Sequence, residues 1–168
     1  MAKQPKSSYV KTKITNTLLQ LLNKYDINEI DIRFLCREAG VGRASFYRNY
    51  SSKEQVILEH ASSLIQAWGD AFEADPDSSP FNVFGSLFDH FKQNKKFYTL
   101  LYKQNMSGVI LETIKDKVGL IPSLSNKEAY EKAFFSYGLY GWICEWIKRG
   151  MKESAGDINH FFVPSSNQ

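Results

Sequence analysis

The sequence predicts an all-α protein of about nine helices. Apolar residues recur at steps of three and four through nearly the whole chain, and no stretch alternates apolar and polar residues long enough to argue for a sheet. Segments rich in Gly, Pro, Asp, Asn and Ser fall between these stripes and punctuate them. With 168 residues, 43% of them hydrophobic and 14% aromatic, the chain can build a real core.

The first helix is expected over 8–24, where Val10, Ile14, Leu18, Leu21 and Leu22 form one apolar stripe. Ser7 or Ser8 is placed to cap it. Residues 25–28 break it, and Asp31 then caps a short second helix with Ile32, Leu35 and Cys36 inward. Gly40 stands where such a helix ends in the left-handed conformation. A third short helix spans about 42–49. Ser51 and Ser52 open a fourth, because Ser51-x-x-Glu54 and Ser52-x-x-Gln55 both fit a capping box. That helix runs through Val56, Ile57, Leu64, Ile65, Trp68 and Phe72. Residues 75–80 read as a loop, followed by helices over 81–94, 95–104 and 107–119. After a connection at 120–127 come the longest helix, 127–151, and a short one at 154–163.

Charge divides the chain more sharply than hydropathy does. Residues 1–55 hold ten Lys and Arg against five acids, a net +5, while 56–168 carry −2. The basic front third suggests an anionic partner for that part. No run of about 18 apolar residues predicts a membrane span, and the N-terminus has no apolar core of a secretory leader. Cys36 and Cys144 lie far apart in apolar helical patterns and read as two buried thiols in a reducing cytosol. No enzyme signature emerges. His60, His90 and His160 lie thirty or more residues apart without metal-ligand spacing, and there is neither a phosphate-cradling Gly loop nor a nucleophile elbow. No cofactor or metal is implied.

Two short helices joined by a tight Gly turn, the second of them basic, form the helix-turn-helix pattern. Ala39 is small where the helices approach, Gly40 permits the turn, and Val41 is the apolar plug beneath it. The helix start near Gly42 offers N–H groups suited to phosphate. Arg43 has the fork for a bidentate guanine contact, and Ser45 can reach base or phosphate. Tyr47 offers a hydroxyl to a phosphate oxygen, and Lys53 adds positive charge at the next helix start. Arg48, and Arg33 on the preceding helix, are further candidate DNA contacts, while Phe46 and Tyr50 read as inward anchors.

The string REAGVGRASFYRNYSSKEQVI, residues 37–57, resembles the DNA-binding signature of the TetR-type transcriptional regulators. The resemblance implies a DNA-binding unit over 1–52 and a helical regulatory and dimerisation body over 53–168. It implies that Tyr47, Asn49 and Lys53 touch phosphate and that Gly42, Arg43, Ala44 and Ser45 face bases. Relatives usually carry Ser or Thr at the position of Gly42 and commonly Thr at that of Asp31. A homodimer on a palindromic operator in double-stranded DNA follows, commonly a repressor released by a small-molecule effector. The two departures keep an alternative open, a coactivator of the same fold that works through protein contact without DNA. A small-molecule carrier or enzyme built on the aromatic body is a further alternative.

In the body, residues 130–151 are apolar nearly all round, so that helix needs cover on more than one side. Tyr137, Tyr140, Gly141 and Trp146 are candidates for a dimer interface. Phe84, Phe88, Phe91, Tyr98, Tyr102 and Trp142 are candidates to line a ligand pocket. The string GLYGWICEWIKRGMKES, 138–154, also resembles a subgroup related to the activator of dihydroxyacetone-kinase operons.

Overall fold

The computed structural model describes residues 6–162. Those residues form nine α-helices and one 3-10 turn, with no strand among them. The chain divides into two compact units, 1–62 and 63–168.

The first unit holds α1 (Lys6–Leu21), the 3-10 turn Ile27–Glu29, α2 (Ile32–Ala39), α3 (Arg43–Tyr47) and the head of α4 (Lys53–Ala74). Ser7 and Ser8, expected as caps, fall within the first turn of α1 instead. Asp26 closes a full capping box with Glu29 around the 3-10 turn. Asp31 accepts from the N–H of Phe34 at 2.7 Å and starts α2. Gly40 ends it at φ 63°, a left-handed backbone that a side chain would strain, and the N–H of Val41 closes back on the carbonyl of Cys36. At the head of α4 the expected Ser52–Gln55 box forms only by half. The Gln55 N–H donates to Ser52 Oγ, while Gln55 Oε1 accepts from Ser51 rather than Ser52. Ile14, Leu18, Leu22, Ile30, Leu35, Phe46, Val56 and Ile57 fill the core of this unit.

The second unit contains the rest of α4, then α5 (Val83–Gln93), α6 (Lys95–Lys103), α7 (Gly108–Lys117), α8 (Asn126–Lys148) and α9 (Ala155–Phe162). The expected end of the last helix at 163 lies outside the described residues. α9 packs along α5, and Asn159 fastens them. Its Oδ1 accepts from the N–H of Gly85 in the first turn of α5, and its Nδ2 donates to the carbonyl of Phe81. Asn82, the residue at the head of α5, makes no side-chain cap, so Asn159 supplies the missing acceptor. Ser125 and Glu128 form a capping box that opens α8. Phe88, Phe91, Tyr98, Leu101, Ile110 and Ile143 are fully buried. Cys36 is buried, Cys144 half-buried, and both are free thiols.

Candidate nucleic-acid interface

α3 is short, and its two sides do different work. Phe46 is fully buried and Tyr50 nearly so, with their rings 5.9 Å apart. These two rings fix the inner side of the helix. Gly42, Arg43, Ala44, Tyr47 and Arg48 are all exposed. Positions 43, 44, 47 and 48 are spaced i, i+1, i+4 and i+5, so their side chains share the outer side. Tyr47 stands against the edge of Phe46, with centroids 5.4 Å apart, and remains 59% exposed. The buried Phe46 ring thus braces one edge of an otherwise exposed Tyr47.

Gly42 heads α3 in extended backbone, φ −74° and ψ 145°, with no side-chain cap. Asp31 spends its carboxylate on the first turn of α2. Ser45 is half-buried, and its carbonyl accepts from Asn49 Nδ2 at 2.7 Å. Asn49 therefore steadies the end of α3 from within. Arg33 is exposed on α2. Arg37 on the same helix lies over the ring of Phe34 and pairs with Glu38 at 3.1 Å.

Lys53 differs from the rest of the expected set. Its Nζ donates to the carbonyls of Ile27 and Ile30, and the side chain is half-buried. Sequence reasoning missed this contact. It joins residues 26 and 23 positions apart, and no local spacing announces it.

In the second unit the six aromatic pocket candidates differ in burial. Phe88, Phe91 and Tyr98 are fully buried, and the last two pack with centroids 4.3 Å apart. Phe84 is half-buried against Phe135, and Tyr102 is half-buried. Phe88 and Trp142 meet at a recess of about 300 Å³ that Trp146, Arg149, Glu153 and Phe161 also line. Trp146 Nε1 and Glu153 Oε2 are buried there without a hydrogen-bond partner among the described residues. A second recess of about 360 Å³ lies between α4 and α5, lined by Leu64, Trp68, Ser86, His90, Gln93 and Asn94. None of these six had been singled out as a ligand contact. The signal was a Trp and a His on facing helical stripes. Trp68 Nε1 donates to Ser86 Oγ at 3.0 Å, and His90 Nε2 lies 2.8 Å from the Tyr98 hydroxyl. Burial pushes the His90 imidazole down to about 4 and pushes the Tyr98 phenol up, so both are neutral at pH 7.

The four interface candidates on α8 separate by face. Tyr137 and Gly141 are exposed. Tyr140 is half-buried, with its hydroxyl 3.0 Å from Ser107 Oγ. Trp146 is 4% exposed and packs on Phe88 at 5.0 Å, which puts it in the core of its own unit. The exposed side of α8 also carries Tyr130 and Phe134, which were not among the candidates.

A double-sided α3 behind a left-handed glycine turn, within a three-helix unit followed by a separate helical body, is the build of a helix-turn-helix regulator. Residues 14–60 match the family described as bacterial regulatory proteins, tetR family, and 78–163 match a transcriptional regulator C-terminal region of the TetR type. The chain belongs to the TetR family of bacterial transcriptional regulators. It is similar in fold to the crystal structure of Lin0861 from Listeria innocua, at 15% identity and a TM-score of 0.78, covering 96% of this chain and 91% of that one. No curated protein matches the sequence. Among the described residues no helix is long and apolar enough to cross a membrane.

Proposed function

We propose that the protein is a homodimeric, cytoplasmic repressor that binds a palindromic operator and is released by a small-molecule effector. The carrying observation is the exposed outer side of α3, with Gly42, Arg43, Ala44, Tyr47 and Arg48 in solvent while Phe46 is fully buried beneath them. In the major groove this side would present Arg43, Ala44 and Ser45 to base edges, with Tyr47 and Asn49 near the phosphates. Arg33 and Arg48 would add backbone charge. Residues 1–52 would serve as the DNA-binding part and 53–168 as the regulatory and dimerisation part. The recess between α4 and α5 and the one beside Trp142 offer room for an effector, and two of the aromatic candidates, Phe88 and Trp142, line the second. The resemblance of 138–154 to the subgroup related to the activator of dihydroxyacetone-kinase operons supports grouping the body there.

The test is selection of bound sequences from a random double-stranded DNA pool, followed by titration at several salt concentrations. Enrichment of a palindrome with half-sites about one helical turn apart is the expected result. A folded protein that enriches no sequence would count against DNA binding and favour a coactivator acting by protein contact.

A further inference from the structure

Lys53 is the first residue of α4, and its amine is engaged inside the protein. Nζ donates to the carbonyl of Ile27 at 2.5 Å and to that of Ile30 at 2.8 Å. Ile27 opens the 3-10 turn Ile27–Glu29 and Ile30 follows it, and the Ile27 carbonyl also accepts from the Ile30 N–H at 3.3 Å. The two acids of the same turn are occupied elsewhere. Asp26 caps Asn28, and Glu29 accepts from the N–H of Asp26. An ammonium has three N–H donors, so two of the three are spent on neutral carbonyls.

The location gives the contact its consequence. Ile30 immediately precedes Asp31, the residue that starts α2. From there the chain runs through α2 and the Gly40 turn to the exposed side of α3. One side chain therefore ties the head of α4 to the entry of the helix pair. α4 is also the element that continues into the second unit.

We propose that Lys53 is a positioning residue, holding the turn before α2 to the head of α4 and so setting the pose of α3, rather than a phosphate contact. The consequence for DNA rests on the reading above. The clasp itself exists without DNA, so the two can fail separately.

Lys53→Met keeps the side-chain length and removes the donors. In the DNA-free protein, amide hydrogen exchange at Glu29, Ile30 and Phe34 should become at least about tenfold faster, while the centre of α1 is unchanged. On the selected operator, affinity should fall about tenfold with an unchanged slope of log K against log salt. A phosphate contact would instead reduce that slope by about 0.9. Unchanged exchange at those amides, or a slope reduced by about one, overturns the proposal. Lys53→Arg keeps the charge. If it restores affinity without restoring exchange protection, DNA reads the charge and the proposal fails. Should Lys53→Met prove too unstable to purify, the Lys53→Arg comparison alone carries the test. If the protein binds no DNA, the exchange measurement still decides the clasp.

Discussion

Gly42 has ordinary extended backbone, and a Cβ added there meets nothing within 4 Å. Glycine is therefore not required by space or by φ. Gly42→Ser should supply the missing cap of α3 and raise stability by a few tenths of a kcal/mol, read as a Tm rise of about 1–2 °C. A lower Tm would mean that the first turn of α3 tolerates only glycine. Arg43 tests the other property of this helix. It is exposed, so Arg43→Ala should leave thermal stability within about 0.5 kcal/mol. Operator affinity should fall by about 1–3 kcal/mol with relaxed base preference. Equal affinity for the selected operator would remove Arg43 from the readers. His90 makes the pH prediction. Its imidazole titrates near 4 when folded, below the ordinary value of 6.5, because burial penalises the cation. The unfolded chain thus takes up a proton first as pH falls. Stability from this group is complete above pH 6.5 and is lost progressively toward pH 4, by about 3 kcal/mol at most. Burial pushes His60 in the same direction. Chemical denaturation between pH 7 and 4 should show the loss, and His90→Gln should flatten the profile. An equally steep profile in that variant would exclude His90 as the source.

At the scale of elements, lysines repeatedly close the ends of helices. Lys132 on α8 donates to the carbonyls of Val118 and Gly119 just beyond α7, where Gly119 turns at φ 67°. Lys95 on α6 donates to the carbonyl of Gly150 just beyond α8. Orphan carbonyls at a C-terminal end attract cations, and a charge-assisted bond there contributes about 1.5–3 kcal/mol when partly buried. Lys132→Met should destabilise the protein within that range and speed amide exchange around Gly119, with α5 and α9 unaffected. Uniform faster exchange would instead indicate global loosening. These clasps also mark the limit of what the sequence conveys. Helix positions were legible because apolar spacing, Asp31 and Gly40 are local signals acting within one turn. Phe46 and Tyr50 were legible as anchors for the same reason. The carbonyl partners of Lys53 and Lys132 were not, because tertiary folding chooses them across a dozen or more residues. Trp146 was misplaced for a related reason. A helix apolar all round has no weak face in its sequence, so periodicity cannot say which side its own unit covers.

Across the whole molecule, α8 shows the least finished surface. Ser136, Leu139, Ile143, Trp146 and Ile147 are buried on one side. On the other, Tyr130, Phe134 and Tyr137 are exposed, followed by Gly138 and Gly141, with Trp142 at the margin. Successive steps of three and four place 130, 134, 137, 138 and 141 on one continuous stripe. A monomer seldom leaves such an apolar stripe in water, and a second copy presenting the same stripe about a two-fold axis would cover both. The two glycines would let the helices approach closely. Phe134 separates an interface role from a core role, since it is 85% exposed in the single chain. Phe134→Glu should therefore leave helicity and the fold of the chain intact. It should convert a dimer to a monomer in sedimentation equilibrium, because two buried carboxylates would face each other across the axis. Affinity for a palindrome should drop toward that for a half-site, since one chain reaches only one major groove. A variant that remains dimeric would move the interface off this stripe. A wild-type chain that sediments as a monomer would mean that the stripe meets something other than a second copy.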